Sequence, residues 1–192
     1  MPNRFRPDPE LASSASALMQ RLAERGALVD GAWMRSIQAA LPRDVIAASF
    51  VRCGADEGTL WLVRGSVLVP AFNTGAHAAS LVDLFEQPIE RGIIGMVAVT
   101  EQAFCENDIG CNTVRDSTLD TQLGVVTTAM MAVPLAFAGA LRGVVSCVQL
   151  AGTTSSPGFS PQHLETFERD VNVAGRLLDL ALLESVMGLA SA

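Results

Sequence analysis

The thiols of this chain are Cys53, Cys105, Cys111 and Cys147. Cys105 and Cys111 flank Glu106-Asn107-Asp108-Ile109-Gly110, a loop short enough to bring two sulfurs into disulfide range, with Cα atoms about 4.4–6.8 Å apart. The chemistry open to such a pair is a thiol switch or a peroxide-type redox reaction. Glu106 and Asp108 work against it: a neighbouring carboxylate raises a thiol pKa and depletes the reactive thiolate. Two ordinary thiols, one on a strand and one in a loop, fit the same spacing. Cys53 and Cys147 lie in apolar runs and read as core. No pair has C-x-x-C spacing, so zinc ribbons and thioredoxin-type motifs are not expected.

Asp108, Asp116 and Asp120 cluster in one irregular stretch. They lack the D-x-D-x-D-G pattern and closing Glu of a calcium loop, and read as turn and helix caps. His77 and His163 have no Cys or carboxylate companions at ligand spacing, so no metal is expected. All 13 basic residues are Arg and Tyr is absent, which excludes a Walker-A lysine, a Schiff-base lysine and a catalytic tyrosine. No G-x-S-x-G, G-x-G-x-x-G or H-E-x-x-H occurs. The formal net charge of −7 leaves no electrostatic footprint for nucleic acid.

The 192 residues, 49% of them hydrophobic and 17% charged, suffice for one domain with flanking helices. The polar, proline-rich N-terminus lacks the apolar run of a signal peptide, so a cytoplasmic protein with reduced thiols is expected. The uncharged stretch between Asp120 and Arg142 is broken by Gly124, Thr127, Thr128, Pro134 and Gly139, and fits buried strands joined by a turn better than a membrane span.

Asp8 can cap a first helix carrying Leu11, Ala15, Leu18 and Leu22 on one stripe, with Gly26 as its stop. A short second helix from Asp30 carries Trp33, Ile37 and Leu41 and ends at Pro42. Strands are expected at Val45 to Cys53, Thr59 to Val63, Val67 to Phe72, Ala103 to Glu106, Ala129 to Leu135 and Arg142 to Leu150. Short helices fall between, within His77 to Phe85, Arg91 to Thr100 and Asp116 to Leu123. Ser160 and Pro161 open a long last helix running to about Met187. It carries two apolar registers: Leu164, Phe167, Val171, Ala174, Leu178 and Ala181, then Val173, Leu177, Leu180 and Met187. The second register calls for a further partner, most simply the same helix of another subunit, or else belongs to one wide stripe under a helix pair.

These elements make an α+β layer, one antiparallel sheet of about six strands with helices on one face. The division expected is an N-terminal helical segment over 1–42, a main domain over 43–187 that includes the last helix, and a tail over 188–192. Within it, Pro88-Ile89-Glu90-Arg91-Gly92-Ile93-Ile94-Gly95-Met96-Val97-Ala98, then Ala132-Val133-Pro134-Leu135, then Gly143-Val144-Val145-Ser146-Cys147-Val148-Gln149-Leu150, then Phe159-Ser160 follow in order. Together they resemble the landmarks of the GAF domain family over about Val45 to Leu183. The N-K…F-x-x-x-D-E signature of cyclic-nucleotide-binding members is not retained, nor is the Cys-His pair of bilin-binding ones.

The resemblance implies a profilin-like, PAS-related sheet with a ligand pocket on the face away from the helices. By likeness to such pockets its walls would include Phe72, Ile94, Asp120, Thr121 and Met130. It implies a non-catalytic sensory module that binds a small molecule or a protein, forms dimers through its terminal helices and acts on a separate output protein. No particular cofactor is implied. The alternative is a GAF-fold, thiol-dependent reductase of a small oxidised substrate such as free methionine sulfoxide, with Cys105 or Cys111 at work. Function has to be argued from the site, because the fold alone does not fix it.

Overall fold

The computed structural model describes residues 9–153 and 158–188, with side chains from residue 13 onward. Asp8, the expected first cap, lies outside the described residues, as do 154–157 of the loop before the last helix and 189–192 of the tail. Six strands form one antiparallel sheet in the order β3-β2-β1-β6-β5-β4. They are β1 (Glu57–Arg64), β2 (Val67–Asn73), β3 (Gln87–Pro88), β4 (Phe104–Glu106), β5 (Thr127–Phe137) and β6 (Ala140–Leu150). The short edge strand β3 is the one strand the sequence pattern did not signal.

Tight turns set the two hairpins. Ala138 and Gly139 both take positive φ, 52° and 74°, as a two-residue turn between twisted strands requires. The backbone N–H of Ala138 donates to Asp179 Oδ1 at 2.5 Å, which ties this turn to the last helix. Between β1 and β2, Gly65 supplies the left-handed conformation.

One face of the sheet is covered by α1 (Pro9–Ala27), α3 (Ala40–Arg52) and α7 (Pro161–Met187), with the one-turn α2 (Gly31–Met34) at its edge. Between sheet and helices, Ile46, Phe50, Leu60, Met131, Val145, Phe167 and Leu178 are at most 2% exposed. The residues from Val45 to Cys53 belong to α3 and its C-cap rather than to a strand. Ile46, Ser49, Phe50 and Cys53 are buried at helical spacing while Val51 points outward, 79% exposed. Pro42 does not end a helix here. It sits in the first turn of α3, where its missing N–H costs nothing. Gly26 likewise lies inside α1, where its bare Cα meets the Cβ of Ala138.

α3 and α7 are joined by a polar clamp. Asp170, 9% exposed, accepts from Ser49 Oγ at 2.8 Å and Arg52 Nη2 at 2.5 Å. Ser160 and His163 cap α7 reciprocally, and Gly175 lets its backbone approach the carbonyl of Ala136 in β5. In the second apolar register Val173, Leu180 and Met187 are 45–56% exposed, while Leu177 is half-buried.

On the opposite face, α5 (Gly92–Thr100) packs on β5 and β6. With α4 (Ala78–Leu81), α6 (Thr118–Leu123) and a 3₁₀ turn at Ile109–Cys111, it roofs a second apolar layer containing Trp61, Leu68, Ile94, Val97, Ile109, Met130, Ala132 and Val144. No helix among the described residues is long and apolar enough to cross a membrane.

Candidate functional site: the cavity under α5 and α6

Strand alternation sends Thr59, Trp61, Ser146, Val148 and Met130 to the face away from the long helices, and α5 brings Ile93 and Ile94 down onto them. A cavity of about 90 Å³ remains between these walls. Its polar lining comes from Glu57, Thr59, Asn73, Gln87, Arg115, Asp116, Asp120, Thr127 and Ser146.

Much of that lining is held by bonds within the protein. The Trp61 indole N–H donates to Ser146 Oγ at 2.9 Å, and Asn73 Nδ2 donates to Thr59 Oγ1 at 2.8 Å. Asp120 is more heavily engaged. It accepts from Arg115 Nη2 at 2.5 Å, from the Thr127 backbone N–H at 3.0 Å and from Thr127 Oγ1 at 2.9 Å. Arg115 and Asp120 are about one-fifth exposed, so the pair is shielded from solvent and closes one side of the cavity. Asp116 accepts from the backbone N–H and the hydroxyl of Thr118. Those bonds, with a smaller contribution from the charge of Arg91, hold its carboxyl below the ordinary aspartate value. Thus Asp116 makes a turn onto Thr118, the first residue of α6, one position before the N-cap Ser117, whereas Asp120 makes an ion pair that the sequence did not signal.

Of the five wall residues expected by resemblance, Ile94, Asp120 and Met130 line the cavity. Phe72 and Thr121 do not. Phe72 packs with the core under the long helices. Thr121 is exposed, and its hydroxyl donates to the Ser117 carbonyl at 2.9 Å. Trp61, Gln87, Glu57 and Arg115 were missed. The alternation of Glu57, Thr59 and Trp61 on one strand face was the available signal, since two polar side chains there interrupt an apolar run.

None of the four thiols lines the cavity. Cys105, Met131 and Cys147 stand opposite one another on β4, β5 and β6, on the helix-facing side. Burial raises the pKa of Cys53, of Cys105 and, well above the ordinary value, of Cys147. Cys111 is exposed, and its pKa is raised by its hydrogen bond to Asp108 and by that carboxylate's charge. All four are free thiols that disfavour the thiolate. No group of three or more His, Cys, Asp or Glu among the described residues has metal-holding geometry. His77 lies beside α4, and His163 uses its Nδ1 to accept from the Ser160 backbone N–H.

Comparison with known proteins gives the fold a family. A mouse relative, the cone cGMP-specific 3',5'-cyclic phosphodiesterase subunit alpha', is 33% identical over 102 residues, which span 52% of this chain and 12% of that protein. The GAF domain of a phosphoenolpyruvate-protein phosphotransferase from Coxiella burnetii superposes with a TM-score of 0.63 at 16% identity, over 93% of this chain and 99% of that one. The free methionine-R-sulfoxide reductase of Neisseria meningitidis superposes with a TM-score of 0.53 at 17% identity, over 96% and 97% of the two chains. Such structural identities speak for the fold alone. The family model for the GAF domain matches residues 45–176, which takes in the sheet, the cavity and most of α7, and the chain belongs to the GAF domain family.

Proposed function

We propose that this chain is a regulatory module that binds a small molecule in the cavity beneath α5 and α6, and that its occupancy is read through α7. The observation that carries this reading is the cavity itself: a partly open, mixed apolar and polar space with Trp61 in one wall and Ile94 and Met130 in others. Its volume of about 90 Å³ sets the size of the ligand part that it can hold. An apolar cavity of about 150 Å³ takes benzene, so this one has room for roughly four heavy atoms. The mouse relative is named for cGMP; a nucleotide is larger than this space and would extend through its open side. The reductase alternative needs a thiol at the substrate, and the thiols lie on the other face or outside the cavity.

The exposed Val173, Leu180 and Met187 on α7 and Met19 on α1 favour a homodimer through the terminal helices, from which a separate output protein would take the signal. Sedimentation should then give a dimer that Val173→Glu with Leu180→Glu converts to monomer.

Native mass spectrometry of the purified protein tests the ligand reading. We expect a co-purified adduct smaller than a nucleotide, lost on Ile94→Phe, which fills the cavity. An adduct retained unchanged in Ile94→Phe would place the ligand elsewhere and overturn the reading.

A further inference from the structure

Three carboxylates, Glu57, Asp116 and Asp120, line the cavity against one guanidinium, Arg115. Arg115 is already paired with Asp120. Arg91, exposed outside the wall, reaches Asp116 with part of its field. Counting it, the carboxylates still outnumber the cations. An anion entering this space would lose its hydration and meet a negative field, whereas a cation would have both losses offset.

The unused hydrogen-bonding groups point the same way. Gln87 is 7% exposed, so it is more than nine-tenths buried. Its Nε2 donates to the Arg91 carbonyl at 2.8 Å, which fixes the orientation of the amide and leaves Oε1 as its accepting group. An amide oxygen whose orientation is fixed in this way can accept from a ligand N–H. Glu57 is half-buried, and its carboxylate has no ion-pair or hydrogen-bond partner among the described residues. On the donor side, the Trp61 indole N–H and one Asn73 amide N–H are spent on Ser146 and Thr59, and Arg115 is engaged by Asp120. The cavity therefore offers a ligand the Glu57 carboxylate and the oriented Gln87 amide oxygen, within apolar walls formed by Ile93, Ile94, Met130 and Val148.

We propose that the ligand is a small organic cation, of the alkylammonium class, whose N–H groups meet Gln87 Oε1 or the Glu57 carboxylate and whose short apolar body lies against Trp61 and Ile94. An indole face adds its own attraction for a cation. This inference rests on the cavity being the binding site, so the experiment must separate the charge of the ligand from the existence of the site.

The chain has two tryptophans and no tyrosine, so Trp33→Phe leaves Trp61 as the sole indole reporter. The probes are n-propylammonium, n-propanol and propionate, three molecules of similar size, titrated at constant ionic strength. Trp61 emission is followed in Trp33→Phe, and the Met130 methyl resonance in the unaltered protein. The expected result is saturable binding of propylammonium, weaker binding of propanol and none of propionate. Glu57→Gln or Gln87→Leu should weaken propylammonium by about tenfold or more and leave propanol within about twofold. Tighter binding of propionate or propanol would overturn the cation assignment while leaving the cavity as the site. No response to any of the three would overturn the site as well.

Discussion

The side chain of Asn107 pairs with the backbone of Phe159 as one strand pairs with another. Asn107 Nδ2 donates to the Phe159 carbonyl at 2.9 Å, and the Phe159 N–H donates to Asn107 Oδ1 at 2.7 Å. Phe159 is buried and immediately precedes Ser160, the N-cap of α7. Asn107 stands two residues before Ile109, a cavity wall. One side chain thus joins the wall segment to the start of the longest helix. Asn107→Ala leaves both backbone groups of a buried residue unpaired and should cost about 1–2 kcal/mol by denaturant titration. Hydrogen exchange should speed up in the first turn of α7 and spare its middle.

Gly175 is where α7 comes closest to the sheet. A Cβ there would collide with the carbonyl oxygen of Ala136, a backbone atom that cannot rotate away. Alanine is better than glycine in a helix interior by about 1 kcal/mol. Overpacking costs about 1–3 kcal/mol. Gly175→Ala should therefore be a net loss of up to about 2 kcal/mol. A gain would mean that α7 slides freely on β5.

The thiol pKa directions predict slow alkylation at neutral pH. Cys111 is the exposed thiol and should react first with iodoacetamide. Its hydrogen bond and charge interaction with Asp108 favour the neutral thiol, so the rate should keep rising above the ordinary cysteine pKa. Asp108→Asn removes the negative charge and should shift the rate profile to lower pH. The raised folded pKa of Cys147 has a further consequence. Stability linked to it is present below the unfolded pKa and is lost as pH rises toward the folded value. Unfolding should become easier in alkali, and Cys147→Ala should blunt that alkaline slope.

Where the pattern of residues decided the structure alone, it could be read. Ser160, Pro161 and the apolar spacing from Phe167 to Leu178 define α7 locally. The stretch from Val45 to Cys53 could not be read this way, because a short apolar run serves a buried strand or a buried helix equally. Its choice is made by packing of Ile46 and Phe50 against α7, with Phe50 and Phe167 ring centroids 5.9 Å apart.

The cavity walls were hidden by β-bulges. Leu60 pairs with Phe72 but Trp61 pairs with Pro70, so Ala71 is an extra residue in β2. Strict alternation from Leu68 would have sent Phe72 to the cavity face; the bulge turns it toward the long helices. A second bulge at Thr128 acts in the opposite sense and delivers Thr127 to Asp120. A period-2 reading has no access to either, since each depends on the partner strand.

Met130 and Met131 are neighbours in sequence on opposite faces of β5, one lining the cavity and the other buried beneath the long helices. Methyl-labelled methionine spectra recorded while n-propylammonium is added therefore test the central claim, a ligand site under α5 and α6, in one experiment. The account predicts that the Met130 methyl and the Trp61 indole N–H shift together and saturate, while Met131 stays within a small fraction of that change. A Met131 shift with Met130 still, or no saturable shift at Met130, would contradict it.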